Sequence, residues 1–180
     1  MKATGIVRRI DDLGRVVIPK EIRRTMRIRE GDPLEIYTDR DGEVIFKKYS
    51  PMGELSTFVS QLCDTVSKTT GYCFAVCDRD AVIAASGACK KDLIDKAISD
   101  EIEKVMEDRI IYRQNTGDAP VYLCQGVENS RVVIAAPIIT EGDVSGCAMF
   151  IDWDGNTTPG DSEYKLAQTI AVFLGKQMEG

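Results

Sequence analysis

Histidine is absent from this chain of 180 residues, and its absence excludes a large part of enzyme chemistry. Without imidazole the protein cannot use histidine as a general acid or base, as a metal ligand or as a haem ligand. Cysteine is present but scattered, with no C-x-x-C pair, at Cys63, Cys73, Cys77, Cys89, Cys124 and Cys147. We therefore predict six reduced and mostly buried thiols, with no disulfide framework, zinc site or bilin attachment.

The sequence also lacks the motifs of common nucleotide-binding and hydrolytic enzymes. It contains no Walker-type phosphate loop, no G-x-S-x-G elbow and no G-x-G-x-x-G turn, so we predict that the protein is not an enzyme. No apolar run approaches the roughly 20 residues that a membrane-spanning helix needs. Residues 1–5 lead into charge rather than into the apolar region of a signal peptide. We expect a cytoplasmic protein without a membrane partner.

The distribution of charge divides the chain in two. Residues 1–50 hold 12 basic and 9 acidic side chains, a net charge of +3, whereas the other 130 residues have a net charge of −9. Seven of the nine basic residues among the first thirty are arginine, whose planar guanidinium pairs with phosphate and with guanine edges. This pattern favours a nucleic-acid-binding module joined to an acidic body.

The first fifty residues show strand and helix signals in the order ββαββ. The predicted strands are Thr4–Ile10, Arg15–Ile18, Leu34–Thr38 and Glu43–Lys48, with turns at residues 11–14 and 40–42. Pro19 is expected in the first turn of the helix, which carries Ile22 and Met26 on one face. Residues 16–18 and 44–46 are apolar at consecutive positions, so both faces of these strands need cover. Because fifty residues rarely form a core alone, we predict that two chains share one.

A nearly continuous run of these residues carries a family resemblance. Residues 2–11 (KATGIVRRID) and 13–19 (LGRVVIP), continued by residues 21–24 and 33–36, closely resemble the AbrB-type swapped-hairpin DNA-binding domain. The resemblance implies an intertwined, β-barrel-like dimer of ββαββ units whose arginines contact double-stranded DNA. With its long extension, the whole chain resembles the sporulation regulators of this family, which act as activators or repressors.

The resemblance also implies which arginines face DNA. Carried over by position, they are Arg8, Arg15, Arg23 and Arg24, and Arg9 is included because it neighbours Arg8 on the predicted strand. Adjacent strand residues point to opposite faces, so only one of Arg8 and Arg9 easily shares a surface with Arg15. We place Arg23 and Arg24 near the helix N-terminus, which favours phosphate. The alternative for each arginine is a salt bridge to Asp11, Asp12 or Glu21.

The absence of Asn and Gln from residues 1–50 bears on how DNA is read. These amides are the side chains that recognise adenine by paired hydrogen bonds. We therefore predict a loose sequence preference, with DNA shape and deformability contributing to the selection.

Residues 51–180 show the pattern of a second domain. We predict a DNA-binding domain at 1–50, a short linker at 51–55 and a mixed helix and sheet domain at 56–180. The first predicted helix has Leu55, Val59, Leu62 and Val66 on one seam, which packs on its own domain or on a partner chain. The other predicted elements are strands at 72–77, 81–85, 110–112, 121–124, 131–139 and 144–151, and helices at 90–108 and 161–178.

This order of elements resembles a GAF-type sensor domain, so the fold class is α+β for the chain as a whole. The resemblance implies a pocket between the sheet and its covering segments, and framing helices that bundle between subunits. We therefore expect a homo-oligomer, a dimer through residues 1–50 and a tetramer if the C-terminal helices also pair. The sequence identifies no cofactor and leaves open an unidentified small-molecule ligand.

One pattern resembles a calcium-binding loop. Asp152, Asp154, Asn156 and Glu163 occupy positions 1, 3, 5 and 12 of that pattern, but position 6 is Thr157 rather than glycine. We prefer the interpretation that Thr158-Pro159 or Asp161 caps the last helix, and we predict no metal.

Together these features predict a DNA-binding transcription regulator with a C-terminal domain for oligomerisation and small-molecule sensing. The alternative is an antitoxin-like DNA-binding protein whose C-terminal part captures a protein partner. A third hypothesis, a signalling enzyme that acts on nucleotides, has no visible catalytic group.

Overall fold

The computed structural model describes residues 5–156 and 158–179. The chain divides into two compact units, Met1–Tyr49 and Ser50–Gly180. Each unit has its own elements and is described by itself.

The first unit is built on one short helix and one hairpin. Helix α1 is Lys20–Thr25, and strands β1 (Leu34–Thr38) and β2 (Val44–Lys48) pair antiparallel. The hairpin forms at the predicted turn because the Asp39 carboxylate accepts hydrogen bonds from the backbone N–H groups of Asp41 (3.1 Å) and Glu43 (2.9 Å). Gly42 supplies the positive φ of 81° that this turn requires.

The two strands predicted before the helix are not strands in the structure. Residues 5–10 and 15–18 belong to no ladder among the described residues, and Thr4 lies outside them. The turn between them does form, with Gly14 at φ 75°. Extended backbone becomes a strand only beside another strand, so the prediction fails because the described part of one chain offers no such neighbour.

Pro19 also differs from its predicted place. It lies at the N-cap of α1, one residue before the helix begins. The difference is only one residue. Helix α1 itself is six residues long, and this short length decides where the arginines of the helix lie.

The second unit is built around a six-stranded antiparallel sheet. Its strands are β3 (Cys73–Cys77), β4 (Val82–Ala85), β5 (Tyr112–Arg113), β6 (Val121–Tyr122), β7 (Arg131–Thr140) and β8 (Asp143–Asp152). The order across the sheet is β4-β3-β8-β7-β5, and β6 pairs with β7 as well. The longest pair is β7 with β8, a hairpin in which 13 of the 20 residues are buried.

Helices cover both faces of this sheet. They are α2 (Pro51–Glu54), α3 (Ser56–Thr70), α4 (Lys90–Leu93), α5 (Asp100–Asp108) and α6 (Asp161–Gln177). Side chains alternate along β3, so Phe74 and Val76 join a core with α2, α3 and α6, while Ala75 and Cys77 join a core with α4 and α5. The result is a sheet between two helical layers. The order of elements predicted a sheet with helices packed against it, but not a layer on each face.

Two segments of the second unit differ from the prediction. The segment predicted as a linker, residues 51–55, contains α2, whose Met52 is fully buried. The single helix predicted over 90–108 is split into α4 and α5, because Asp95 has φ 63° and Ser99 caps a new helix by accepting a hydrogen bond from the N–H of Ile102.

The close approach of helix α6 to strand β7 can be tested by substitution. Gly175 lies inside α6, where replacing glycine by alanine ordinarily stabilises a helix by about 1 kcal/mol. Here a Cβ would overlap the carbonyl oxygen of Ile139 in β7. We expect Gly175→Ala to destabilise the second unit by about 1–3 kcal/mol, measured by calorimetric or dichroism melting.

The matched control is Gly53→Ala in α2. A Cβ there meets the Ser50 side chain at 3.6 Å, an ordinary contact, and the melting temperature should not fall. Equal melting temperatures for the two variants would contradict the close approach of α6 to β7.

Candidate nucleic-acid interface

The turn at residues 11–14 positions Arg15. The Asp11 carboxylate accepts hydrogen bonds from the N–H of Leu13 (3.0 Å), the N–H of Arg15 (2.8 Å) and the Arg15 Nε (2.8 Å). These bonds, above all those from Arg15, lower the pKa of Asp11. The predicted alternative of a salt bridge to Asp11 is therefore realised for Arg15.

This ion pair leaves Arg15 competent to bind an anion. The Arg15 side chain is 70% exposed, and exposed pairs of this kind contribute little to stability. The bond to the Asp11 side chain uses the Nε group, one of the five N–H donors of a guanidinium. A phosphate can therefore approach Arg15 without first breaking a strong contact.

Arg8 and Arg9 lie in the segment before this turn, which has no regular secondary structure. Both residues are exposed. The prediction that Arg8 and Arg9 point to opposite faces assumed a strand. This segment forms no ladder among the described residues, so the structure does not assign the two side chains to opposite faces of a sheet.

Arg23 and Arg24 lie in the last turn of α1, not near its N-terminus. The prediction was wrong because α1 ends at Thr25. A helix C-terminus is negative, so the helix stabilises these cations but does not attract phosphate to them. Any contact with phosphate must come from the side chains themselves, of which Arg24 is exposed and Arg23 half-buried.

A contact that sequence reasoning missed connects α1 to the hairpin. The Asp32 side chain is only 2% exposed and lies 3.0 Å from the Lys48 Nζ. Asp32 also accepts a hydrogen bond from the N–H of Arg29 (2.8 Å), and Lys48 donates one to the carbonyl of Arg27 (2.8 Å). This network holds the chain after α1 against β2. Asp32 reads as an ordinary turn residue in the sequence, which carries no signal for a partner 16 positions away.

Most apolar residues of the first unit are exposed, and the others are half-buried. Among residues 5–49 only Pro19 is buried. The exposed fraction is 86% for Val7, 71% for Val17 and 61% for Ile36. Isolated exposed apolar residues are common, but a unit with almost no buried residue has no core of its own.

The second unit contains a polar depression of about 660 Å³. It lies at the start of α5 and along the segment between β6 and β7, and it is lined by Ser99, Glu101, Tyr122, Cys124, Gln125, Gly126, Val127, Glu128 and Asn129. This position is on the side of the sheet that α4 and α5 cover.

The residues of the calcium-like pattern have structural partners. Asp152 is buried and lies 3.6 Å from the Arg131 guanidinium, and Glu163 accepts a hydrogen bond from the N–H of Gly160 (2.7 Å). Gly160 is thus the N-cap of α6, and the caps predicted at Thr158-Pro159 and Asp161 are wrong. Asp161 instead pairs with Arg113 at 2.7 Å. Thr157 lies outside the described residues. Within 5–156 and 158–179, no three His, Cys, Asp or Glu side chains are grouped to hold a metal ion.

Aromatic residues are exposed on the helices that frame the second unit. Phe58 of α3 and Phe173 of α6 are 40% and 43% exposed, and their ring centroids lie 6.0 Å apart. Val172 beside them is 55% exposed. In the part of the chain that is described, no helix has the length and apolar character needed to cross a bilayer.

Comparison with protein families gives two matches. The family profile described as stage V sporulation protein T C-terminal, transcription factor, matches residues 54–179. The profile described as antidote-toxin recognition MazE, bacterial antitoxin, matches residues 7–53.

Two curated proteins of Bacillus subtilis (strain 168) are similar to the chain. Stage V sporulation protein T is 50% identical over 180 residues, which cover 99% of each chain. The transition state regulatory protein AbrB is 65% identical over 51 residues, which cover 28% of this chain and 52% of AbrB. The predicted resemblance of the first fifty residues to AbrB is confirmed.

A solved structure shares the fold of the second unit. The second GAF domain of DevS from Mycobacterium smegmatis superposes with a TM-score of 0.52 at 15% identity, covering 69% of this chain and 93% of that domain. The predicted GAF-like fold is confirmed, and at this identity the likeness shows the fold alone.

Proposed function

This chain belongs to the stage V sporulation protein T family of transcription factors, and we propose that it regulates transcription by binding double-stranded DNA through residues 1–50. The observation that carries the proposal is a set of arginines on a unit without acidic excess, joined to an acidic second unit. Because the proposed target is DNA, we propose a cytoplasmic location for the protein.

A second copy of the chain is proposed to complete the DNA-binding unit. Residues 5–10 and 15–18 lie in no ladder among the described residues, and apolar side chains in them such as Val7 and Val17 are exposed. A partner chain that inserted its own extended segments would supply both the missing strand neighbours and the missing apolar contacts. The two requirements are met by one interlocked dimer, as the resemblance to AbrB implies.

The arginines then face DNA in pairs related by a two-fold axis. Arg8, Arg15, Arg23 and Arg24 give eight guanidinium groups in a dimer. If each contacts one phosphate, the logarithm of the binding constant falls with the logarithm of salt concentration at a slope of about −7. Phosphate contacts of this number fix the position of the protein on the duplex, while base contacts remain few.

Substitution of Arg15 tests the assigned face. We expect Arg15→Ala to weaken binding of a promoter duplex by about tenfold or more, because two charged contacts are lost per dimer. The slope of the logarithm of the binding constant against the logarithm of salt concentration should become less steep by about 2. The measurement is fluorescence anisotropy at several salt concentrations with the full-length protein.

The matched control is Arg40→Ala, which removes the same charge from the β1–β2 turn of the same unit. Its affinity should stay within about twofold of the wild type. If Arg15→Ala and Arg40→Ala behave alike, Arg15 does not contact DNA.

Oligomerisation through the second unit is the next part of the proposal. Phe58, Phe173 and Val172 form an exposed apolar surface on α3 and α6, the longest helices of this unit. A second copy presents the same surface, so a two-fold pairing buries both at once. We propose that this pairing joins two DNA-binding dimers into a tetramer, which raises the effective concentration of one DNA-binding unit once the other is bound.

The mass of the full-length protein tests the pairing. We expect four chains by light scattering for the wild type and two chains for Phe58→Ala/Phe173→Ala, because each pairing loses four exposed rings. Ile110→Ala removes a more exposed apolar side chain, 70% exposed, from another part of the unit and should leave four chains. A double variant that keeps four chains, or a wild type that has two, would show that this surface does not pair.

We also propose that the GAF-like unit senses a small molecule. The depression at the start of α5 carries two carboxylates, Glu101 and Glu128, beside amide and hydroxyl groups. This lining favours a small polar or cationic ligand over an anion.

The antitoxin-like alternative rests on the MazE match of residues 7–53. It requires the remaining residues to capture a protein, which antitoxins do with a pliable tail. Residues after Ser50 instead form a folded unit with two apolar cores. This folded unit favours the regulator, and a stoichiometric protein partner in a pull-down would favour the antitoxin.

A further inference from the structure

Two of the six cysteines meet at one edge of the second unit. Cys73 begins β3, and Cys89 ends a 3-10 turn, Gly87–Cys89, that follows β4. Because β3 and β4 are antiparallel, with Ala75 opposite Ala85, the turn returns over the start of β3. The approach is close enough that a Cβ on Gly87 would lie 3.1 Å from the Cys73 Sγ.

The turn after β4 holds the Cys89 thiol beside the start of β3. The Cys89 thiol donates a hydrogen bond to the carbonyl oxygen of Ser86 (3.0 Å). Ser86 in turn donates its N–H to the carbonyl oxygen of Phe74, the residue after Cys73 (2.9 Å). This turn therefore brings Cys89 close to the Cys73 sulfur, which Gly87 also approaches.

The two thiols differ in pKa. The hydrogen bond from the Cys89 thiol, helped by the backbone N–H groups of Cys89 and Ala88, lowers the pKa of Cys73 from 9.0 to about 6, and the same bond raises the pKa of Cys89. A thiolate is the form of cysteine that reacts with electrophiles and oxidants. Of the two thiols, Cys73 is therefore the one that ionises first.

The other cysteines are arranged differently. Burial raises the pKa of Cys63 to about 12 and that of Cys124 to about 11. Cys77 and Cys147 lie opposite each other on β3 and β8, and burial raises the pKa of both. Cys73 is the one free cysteine of the described residues that is not buried. Cys73 is therefore both the most accessible of these cysteines and the one with a lowered pKa.

We propose that Cys73 and Cys89 form a reversible oxidation site for hydroperoxides. The Cys73 thiolate attacks the terminal oxygen of the peroxide, the O–O bond breaks, and the leaving hydroxide or alkoxide takes a proton from water. Cys73 is oxidised to a sulfenic acid and the peroxide is reduced. The Cys89 sulfur then attacks the sulfenic sulfur, an S–S bond forms, and water leaves with the Cys89 proton. An external dithiol reverses the reaction by exchange.

Peptide mapping of the full-length protein tests the site. After treatment with hydrogen peroxide and alkylation of free thiols, trypsin releases Cys73 in peptide 69–79 and Cys89 in peptide 80–90. We expect these two peptides joined, with a mass lower by two hydrogens than their sum. Peptide 69–79 also contains Cys77, so fragment ions must place the link on Cys73. Dithiothreitol should restore both free peptides.

Removing the second cysteine should expose the intermediate. In Cys89→Ala the sulfenic acid of Cys73 has no adjacent thiol, so dimedone should label Cys73 in this variant but not in the wild type. The matched control is Cys63→Ala, which removes a buried cysteine elsewhere and should still form the 73–89 link.

The pH dependence of alkylation gives an independent readout. Between pH 6 and pH 8 the rate of iodoacetamide reaction at Cys73 should rise only about twofold, whereas an ordinary thiol gains about tenfold per pH unit. The wild-type peptide map decides the proposal even if Cys89→Ala is unstable. A link to Cys77, a sulfinic acid at Cys73 without a link, or an alkylation rate that rises steeply with pH would overturn it.

Discussion

Within one chain, the first unit does not bury its apolar side chains, and the other features of the molecule depend on this constraint. Val7, Val17 and Ile36 are mostly exposed, and Pro19 is the one buried residue between positions 5 and 49. A unit of this size cannot offset the conformational entropy of folding without burying such residues. A second chain that completes the ladder and covers these side chains resolves both deficits, and it doubles the arginine surface in the same step.

The polar contacts of the first unit suit this arrangement. Asp32 and Lys48 hold the end of α1 against β2, and Asp11 organises the turn before Arg15. Both contacts lie within one chain, so they can position the arginines before a partner arrives. The apolar contacts, by contrast, depend on the partner. In the dimer proposed above, local polar bonds set the shape of each half, while a core shared by the two chains supplies the stability.

Much of this fold could be predicted from the sequence where the signal is local. The β1–β2 hairpin follows from the turn residues around Gly42, and the long strands β7 and β8 follow from their apolar runs. The break between α4 and α5 could not be predicted, because the helical spacing of apolar residues continues through it from Leu93 to Ile102. Both of these residues are buried, as they would be in one continuous helix.

The candidate site was predicted less completely, because local sequence patterns do not show where its side chains lie. The arginines were found by composition and resemblance, but their places depend on features that no local pattern shows. Arg23 and Arg24 lie at the C-terminal end of α1 because that helix has only six residues. The contact of Cys73 with Cys89 depends on the turn that follows β4, which the spacing of the cysteines does not reveal.

The most direct measurement of the central claim is sedimentation equilibrium of residues 1–50 alone, combined with thermal melting at several protein concentrations. The account predicts twice the mass of one fragment and a melting temperature that rises with concentration, since folding and association are then one reaction. A folded fragment with the mass of one chain and a melting temperature independent of concentration would contradict it.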